Sequence, residues 1–169
     1  LLDGIKVVDL THVLAGPYCS YQLGLLGADI TRIENPASVD LPRIIDPDPE
    51  RLAKGMGAGF ITSNANKRSV AIDLSSKEGQ DLARKLMADA DVVIEKFRPG
   101  VLEKYGLDAK ALTQKNPRLI YCSISGFGQE SSWKDRPAYD DIIQAMSGLM
   151  AITGTLESGP VMTGFPIID

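Results

Sequence analysis

The sequence predicts an α/β fold built on a doubly wound parallel sheet, and three observations predict it. Short runs of β-branched and apolar residues recur at residues 5–10 (IKVVDL), 28–33 (ADITRI), 69–74 (SVAIDL), 91–95 (DVVIE) and 119–125 (LIYCSIS). Their apolar content suits strands covered on both faces, as in parallel sheets. Segments with helical spacing or helix caps stand between them, and strand, helix, strand within about 30 residues is one βαβ unit. No internal repeat or low-complexity segment breaks the alternation.

Taken in order, the first strand is followed by THVLAGP and then by residues 18–26 (YCSYQLGLL), whose apolar spacing is helical. Gly27 suits the position just past that helix, where glycine easily takes the left-handed conformation. Residues 34–59 are rich in Pro, Asp and Gly and read as a long surface excursion, a length that is uncommon unless functional. After the third strand, Ser75 with Glu78 three residues on forms a capping-box pattern for a helix running to Ala88. Arg98-Pro99-Gly100 turns the chain after the fourth strand into a short helix ending near Gly106. Asp108 caps another helix, to about Lys115, and Pro117 forbids its continuation. The fifth strand leads into Gly126-Phe127-Gly128, and residues 139–150 have helical apolar spacing. In such a sheet ligands sit at the carboxyl ends of the strands, so chemistry is expected in those loops.

Composition narrows the function. The chain has 169 residues, 44% apolar and 24% charged, which fits one globular domain with a core of Leu, Ile, Val, Ala and Met. A net charge of -4 argues against general nucleic-acid binding, because the surface cannot replace phosphate counterions. No apolar run is long enough to span a membrane. The opening LLDGIKVVDL goes straight into a strand, so a signal peptide is not expected. Cys19 and Cys122 form no CxxC, which leaves no basis for a structural zinc site; they read as reduced core thiols of a cytoplasmic protein. The final GPVMTGFPIID ends on an apolar run without a polar tail, and we expect the chain to be a piece of a longer one.

Three places draw attention. THVLAGP opens a helix after strand one, where unpaired N–H groups favour anions, yet its glycines lack the spacing of a dinucleotide fingerprint. His12, the only histidine, reads either as a loop histidine or as a ligand contact. Lys96, Arg98 and Lys104 follow strand four and suit phosphates, with Phe97 between them to pack on an adenine ring; a solvated basic rim is the alternative. Asp169 ends an apolar, proline-containing segment and reads as a turn aspartate or as a functional carboxylate.

Six segments in series carry a resemblance: LDGIKVVDLTHVLAGP (2–17), GADITRIE (27–34), NANKRSVAIDL (64–74), ADVVIEKFRPGVLEKYGL (90–107), NPRLIYCSISGFG (116–128) and GPVMTGFPIID (159–169). Together they resemble the N-terminal region of family III coenzyme A (CoA) transferases, a group that includes formyl-CoA transferase, carnitine CoA transferase and α-methylacyl-CoA racemase. The resemblance implies a Rossmann-like large domain, of which residues 1–169 are the N-terminal part, with the small domain and the C-terminal return segment outside this chain. It also implies an interlocked homodimer, acyl-CoA as substrate with a carboxylic acid as acceptor, and no metal. It puts the catalytic aspartate at Asp169. CoA contacts fall on His12, Val13, Leu14 and Ala15, on Ile72 and Ser75, on Lys96, Phe97, Arg98 and Lys104, and near the acyl end on Arg136 and Tyr139. Asn35 stands where the family has an arginine, which takes one phosphate contact away.

Two departures bear on the reaction. Racemases of the family carry a histidine where Tyr139 stands, and a phenol, with an ordinary pKa of about 10, moves protons poorly near neutral pH. Transfer is therefore favoured over racemisation. Formyl-CoA transferases carry a glutamine at the position of Leu14, so the resemblance favours a longer or less polar acyl group, such as succinyl, over formyl and oxalyl. The implied mechanism is covalent catalysis through an aspartyl-CoA thioester. The other readings are an acyl-CoA racemase of the same family and a non-catalytic CoA- or nucleotide-binding module.

Overall fold

The computed structural model describes residues 1–169. Five strands form one all-parallel sheet: β1 (Lys6–Leu10), β2 (Asp29–Glu34), β3 (Arg68–Ala71), β4 (Val92–Glu95) and β5 (Ile120–Ser123), in the order β3-β2-β1-β4-β5. The chain therefore winds outward from β1 in both directions, as the alternating pattern predicts. The pairing is in register along the centre, with Val7 opposite Ile30 on one side and opposite Val92 on the other.

Alternation along each strand divides the core between two faces. Val8, Leu10 and Val93 point to the side covered by α4 (Lys77–Ala88), where they pack with its Ala83 and Met87 and with Leu107 and Leu112. Val7, Ile30 and Ile94 point to the other side, beneath Cys19 and Leu23 of α1 (Ala15–Leu25). Both cysteines are free and half-buried, Cys122 in the same cluster as Cys19. Gly27 has φ +104°, the left-handed geometry expected of it. Gly16 permits the close approach of α1 to the end of β1, since a Cβ there would run into the Thr11 side chain.

Several expectations need correction. The segment 34–59 is not one open excursion. It holds a 3-10 turn (Leu41–Arg43) and α2 (Pro49–Ala53), and leads into α3 (Ala58–Asn64). Asp48 caps α2 by accepting from the Glu50 N–H at 2.9 Å. The cap of α4 is Ser76, whose hydroxyl accepts from the Gly79 N–H at 3.0 Å. Ser75 bonds Asp73 instead, so the Ser75–Glu78 capping box does not form. Asp108 does cap α5 (Ala109–Thr113), which ends short of Lys115. The helix expected over 139–150 is two, α6 (Asp140–Met146) and α7 (Leu149–Thr153), parted at Gly148, whose φ of +83° no helix interior accepts.

The chain divides into two compact units, Leu1–Ile124, which holds the whole sheet, and Ser125–Asp169, which holds α6 and α7. No helix is long and apolar enough to cross a membrane.

Candidate active site

The strand order reverses at β1, where β2 leaves on one side and β4 on the other. Loops leaving the carboxyl ends of β1 and β4 diverge there and open a crevice. In the first unit a cleft of about 320 Å³ lies at this point, lined by His12 and Val13 after β1, Asn35 after β2 and Phe97 after β4. Arg32, Glu34 and Asp40 complete its polar wall.

That wall rests on buried charge. Asp9, fully buried near the end of β1, accepts from the Thr11 hydroxyl at 2.5 Å and the Ser20 hydroxyl at 2.5 Å. It also pairs with the buried Lys67 ammonium at 3.1 Å. Lys67 donates further to the Pro17 carbonyl at 2.8 Å and Asn64 Oδ1 at 3.0 Å, which ties α1 and α3 to the sheet. Burial lowers the Lys67 pKa, and the Asp9 carboxylate works against that shift. Arg32, 2% exposed, donates to Asn64 Oδ1 at 2.5 Å and to Asp40 Oδ2 at 2.5 Å, and its guanidinium lies 5.3 Å from the Phe60 ring centre. Its Nε is buried without a hydrogen-bond partner. Asp40 Oδ1 accepts from the Val13 N–H at 2.9 Å.

At the end of β4, Glu95 Oε2 accepts from the Phe97 N–H at 2.7 Å and so fixes the start of the next loop. Burial pushes the Glu95 carboxyl above its ordinary range, partly offset by the Ser123 hydroxyl and the Phe97 N–H. Glu34 is drawn up by burial, but hydrogen bonds from Arg43 and Ser69 outweigh this and leave it lowered.

The second unit builds a different site. Gln144 on α6 is fully buried; its Oε1 accepts from the Thr163 N–H at 2.9 Å, and its amide donates to Asp140. Asp140 Oδ1 in turn accepts from the Ile168 N–H at 2.7 Å. Two side chains one helical turn apart on α6 thus hold the strand-free segment that ends in Asp169. Asp169 and Tyr139 line one groove of about 370 Å³, with Thr163, Phe165 and Pro166 along it.

The expected site residues fall into these places unequally. His12, Val13 and Phe97 share the crevice, and Leu14 and Ala15 open α1 directly behind it. Lys96 and Arg98 flank Phe97, Lys96 half-buried and Arg98 exposed. Ile72 is 4% exposed, its side chain is packed in the core and its N–H donates to the Glu34 carbonyl, so the fold does not present it to a ligand. Ser75 and Lys104 are exposed and line neither cavity, and Arg136 stacks on Trp133 at 4.4 Å from the ring centre. Sequence reading missed Arg32, Asp40 and Glu95 in the first unit and Gln144 in the second. The Asp- and Pro-rich stretch around Asp40 was the only signal available for any of them. No group of three or more His, Cys, Asp and Glu side chains is placed to hold a metal ion.

Comparison with known proteins places the chain in a family. Residues 2–169 match CoA-transferase family III. Succinate--glutarate CoA-transferase of Agrobacterium fabrum is 44% identical over 99% of this chain, which spans 43% of that protein. Succinyl-CoA:glutarate CoA-transferase of Mus musculus is 38% identical over 99% of the chain and 38% of its own length. A CAIB/BAIF family protein from Brucella suis, known from its crystal structure, superposes with a TM-score of 0.88 at 44% identity, covering 97% of this chain and 43% of that one. The chain thus spans well under half the length of the relatives it matches.

Proposed function

The chain belongs to CoA-transferase family III, and from that membership we propose that the protein transfers coenzyme A from an acyl-CoA, of the succinyl-CoA type, to a carboxylic acid acceptor. In this reading residues 1–169 are the N-terminal part of the CoA-binding large domain, and Asp169 carries the acyl and CoA groups in turn. The complete enzyme works as a homodimer. The succinyl preference is supported by relatives named for succinyl or succinate transfer and by Leu14, an apolar side chain where a small polar acyl group would need a hydrogen-bond partner.

The observation that carries the reading is the setting of Asp169. It lines a groove, and the residue before it is held through its N–H by Asp140. A nucleophile whose backbone is fixed loses less freedom on reaching the reactive geometry. The crevice beside Val13 and Phe97 suits the nucleotide end of the substrate, with Phe97 for the base and Lys96 and Arg98 for phosphate.

Asp169 attacks the thioester carbonyl; the C–S bond breaks, and a mixed anhydride and CoA thiolate result. The thiolate attacks the aspartyl carbonyl, releasing the donor carboxylate and leaving an aspartyl-CoA thioester. An acceptor carboxylate attacks that thioester, forming a second anhydride and freeing the thiolate again. Attack of the thiolate on the acceptor's acyl carbon gives the new acyl-CoA and regenerates Asp169. Each step exchanges one activated acyl bond for another, so remote binding of the nucleotide handle does the orienting.

The test is Asp169→Ala in the full-length enzyme. Transfer should fall by at least about a thousandfold, while the Kd for CoA stays within about threefold. Transfer that survives the substitution contradicts the covalent route. An absence of CoA binding in the wild-type protein contradicts the transferase reading itself.

A further inference from the structure

We propose that Asp40, anchored by the buried Arg32 guanidinium, is a positioning residue that holds Val13 in a left-handed backbone conformation and so sets the shape of the CoA-holding loop, residues 12–15. This rests on the CoA-binding reading given above and assigns a task to a side chain outside the reacting groups.

The starting observation is a backbone outlier. Val13 has φ +67°, one of only two non-glycine residues in the chain with positive φ. For a β-branched residue that region is sterically costly, because Cβ crowds the carbonyl oxygen. Such a conformation persists only where the surroundings over-determine it.

The surroundings do so through one carboxylate. Asp40 Oδ1 accepts from the Val13 N–H at 2.9 Å, although the two lie 27 residues apart. Its Oδ2 accepts from Arg32 at 2.5 Å, and both side chains are almost fully buried, at 2% and 5% exposure. Arg32 is itself fixed by Asn64 at 2.5 Å. The post that holds Val13 is therefore a buried ion pair rooted in β2 and α3, not a mobile surface side chain. Its position in the fold gives the conformation a use. Val13 lies between His12, which lines the crevice, and Leu14, the residue that caps α1. Relaxing Val13 to negative φ would turn the peptide planes on either side and redirect the N–H groups that open α1.

A double-mutant cycle on the full-length enzyme tests this, read by calorimetric titration with CoA and by the KM for acyl-CoA against kcat. Asp40→Ala should weaken CoA binding about tenfold or more and raise KM more than it lowers kcat. In a Val13→Gly background, glycine takes positive φ unaided, and the same Asp40→Ala change should then cost less than about threefold. An equal loss in both backgrounds means Asp40 only stabilises the fold, and overturns the proposal. If Asp40→Ala does not fold because Arg32 is left as an unpaired buried cation, the cycle is run with Arg32→Met/Asp40→Ala in its place, with the same expected and contrary results. Wild-type protein that binds no CoA would instead count against the function proposed above.

Discussion

Every buried apolar side chain of the molecule lies in Leu1–Ile124, from Val7 to Leu119, while in Ser125–Asp169 the one fully buried residue is Gln144, a polar one. The first unit is a two-faced core with a buried ion network at one end. The second leaves Ile152, Leu156 and Phe165 largely exposed and is held by hydrogen bonds from α6. Hydrophobic burial is the dominant favourable term in folding, so the two units differ in what orders them. The larger unit, with the crevice at the end of its sheet, rests on packing; the smaller one, which carries Asp169, rests on a few polar contacts.

Amide exchange should show the largest contrast. Amides of β1 and β4 in the 169-residue chain are expected to exchange about a thousandfold more slowly than those of residues 155–169. Equal protection would remove the contrast. Next in size is Asp9→Asn, which leaves Lys67 as a buried cation without its counter-charge. Urea titration should register a loss of about 3–5 kcal/mol, with exchange in the second unit unchanged. Gln144→Ala strips the Thr163 N–H of its acceptor. It should cost about 1–3 kcal/mol, felt as faster exchange over residues 161–169 and not in the sheet.

Glu95 gives a pH-dependent contrast. Its carboxyl is raised above 4.5 in the folded chain, first by burial. The protonated form is thus the one the fold favours. Its contribution is complete below about 4.5 and is lost as pH rises through the folded value. Glu95→Gln, which cannot ionise, should therefore gain in thermal midpoint over wild type as pH climbs from about 4.5 to 8. A gap that grows on acidification contradicts the assignment. The smallest effect expected is Arg68→Ala, since Arg68 and Asp29 pair at 3.2 Å with both side chains more than 60% exposed. It should change stability by no more than about 0.5 kcal/mol.

The same contrast explains what the sequence revealed. The strands declared themselves because both faces of β1 and β4 are buried, so Val7, Val8, Val93 and Ile94 had to be apolar whichever way they point. Asp108 and Gly27 were legible because capping and positive φ restrict residue type locally. The break at Gly148 was not read, since the apolar spacing on either side continues as if one helix ran through. Arg32, Asp40 and Lys67 escaped because a buried ion pair looks, in one dimension, like any charged residue; only the fold brings Asp40 to Val13 and Lys67 to Asp9. His12 and Phe97 drew attention because loops after the strands are where such sheets put ligands, Val13 came in only with the resemblance, and the fold places all three around one crevice. Asp169 was reached through the six-segment resemblance, and patterning alone left it a turn aspartate. The clamp on its segment, Asp140 with Gln144, has the spacing of one helical turn but carries no mark that separates it from an ordinary helix face.

The central claim is that Asp169 is the group that carries CoA, and peptide-resolved mass spectrometry tests it most directly. The full-length enzyme is incubated with succinyl-CoA, trapped with hydroxylamine or borohydride, and digested. The account predicts a hydroxamate or a reduced side chain on the peptide containing Asp169, and none when the acyl-CoA is omitted. Continued turnover with Asp169 unmodified, or the modification on another carboxylate such as Asp140, would contradict it.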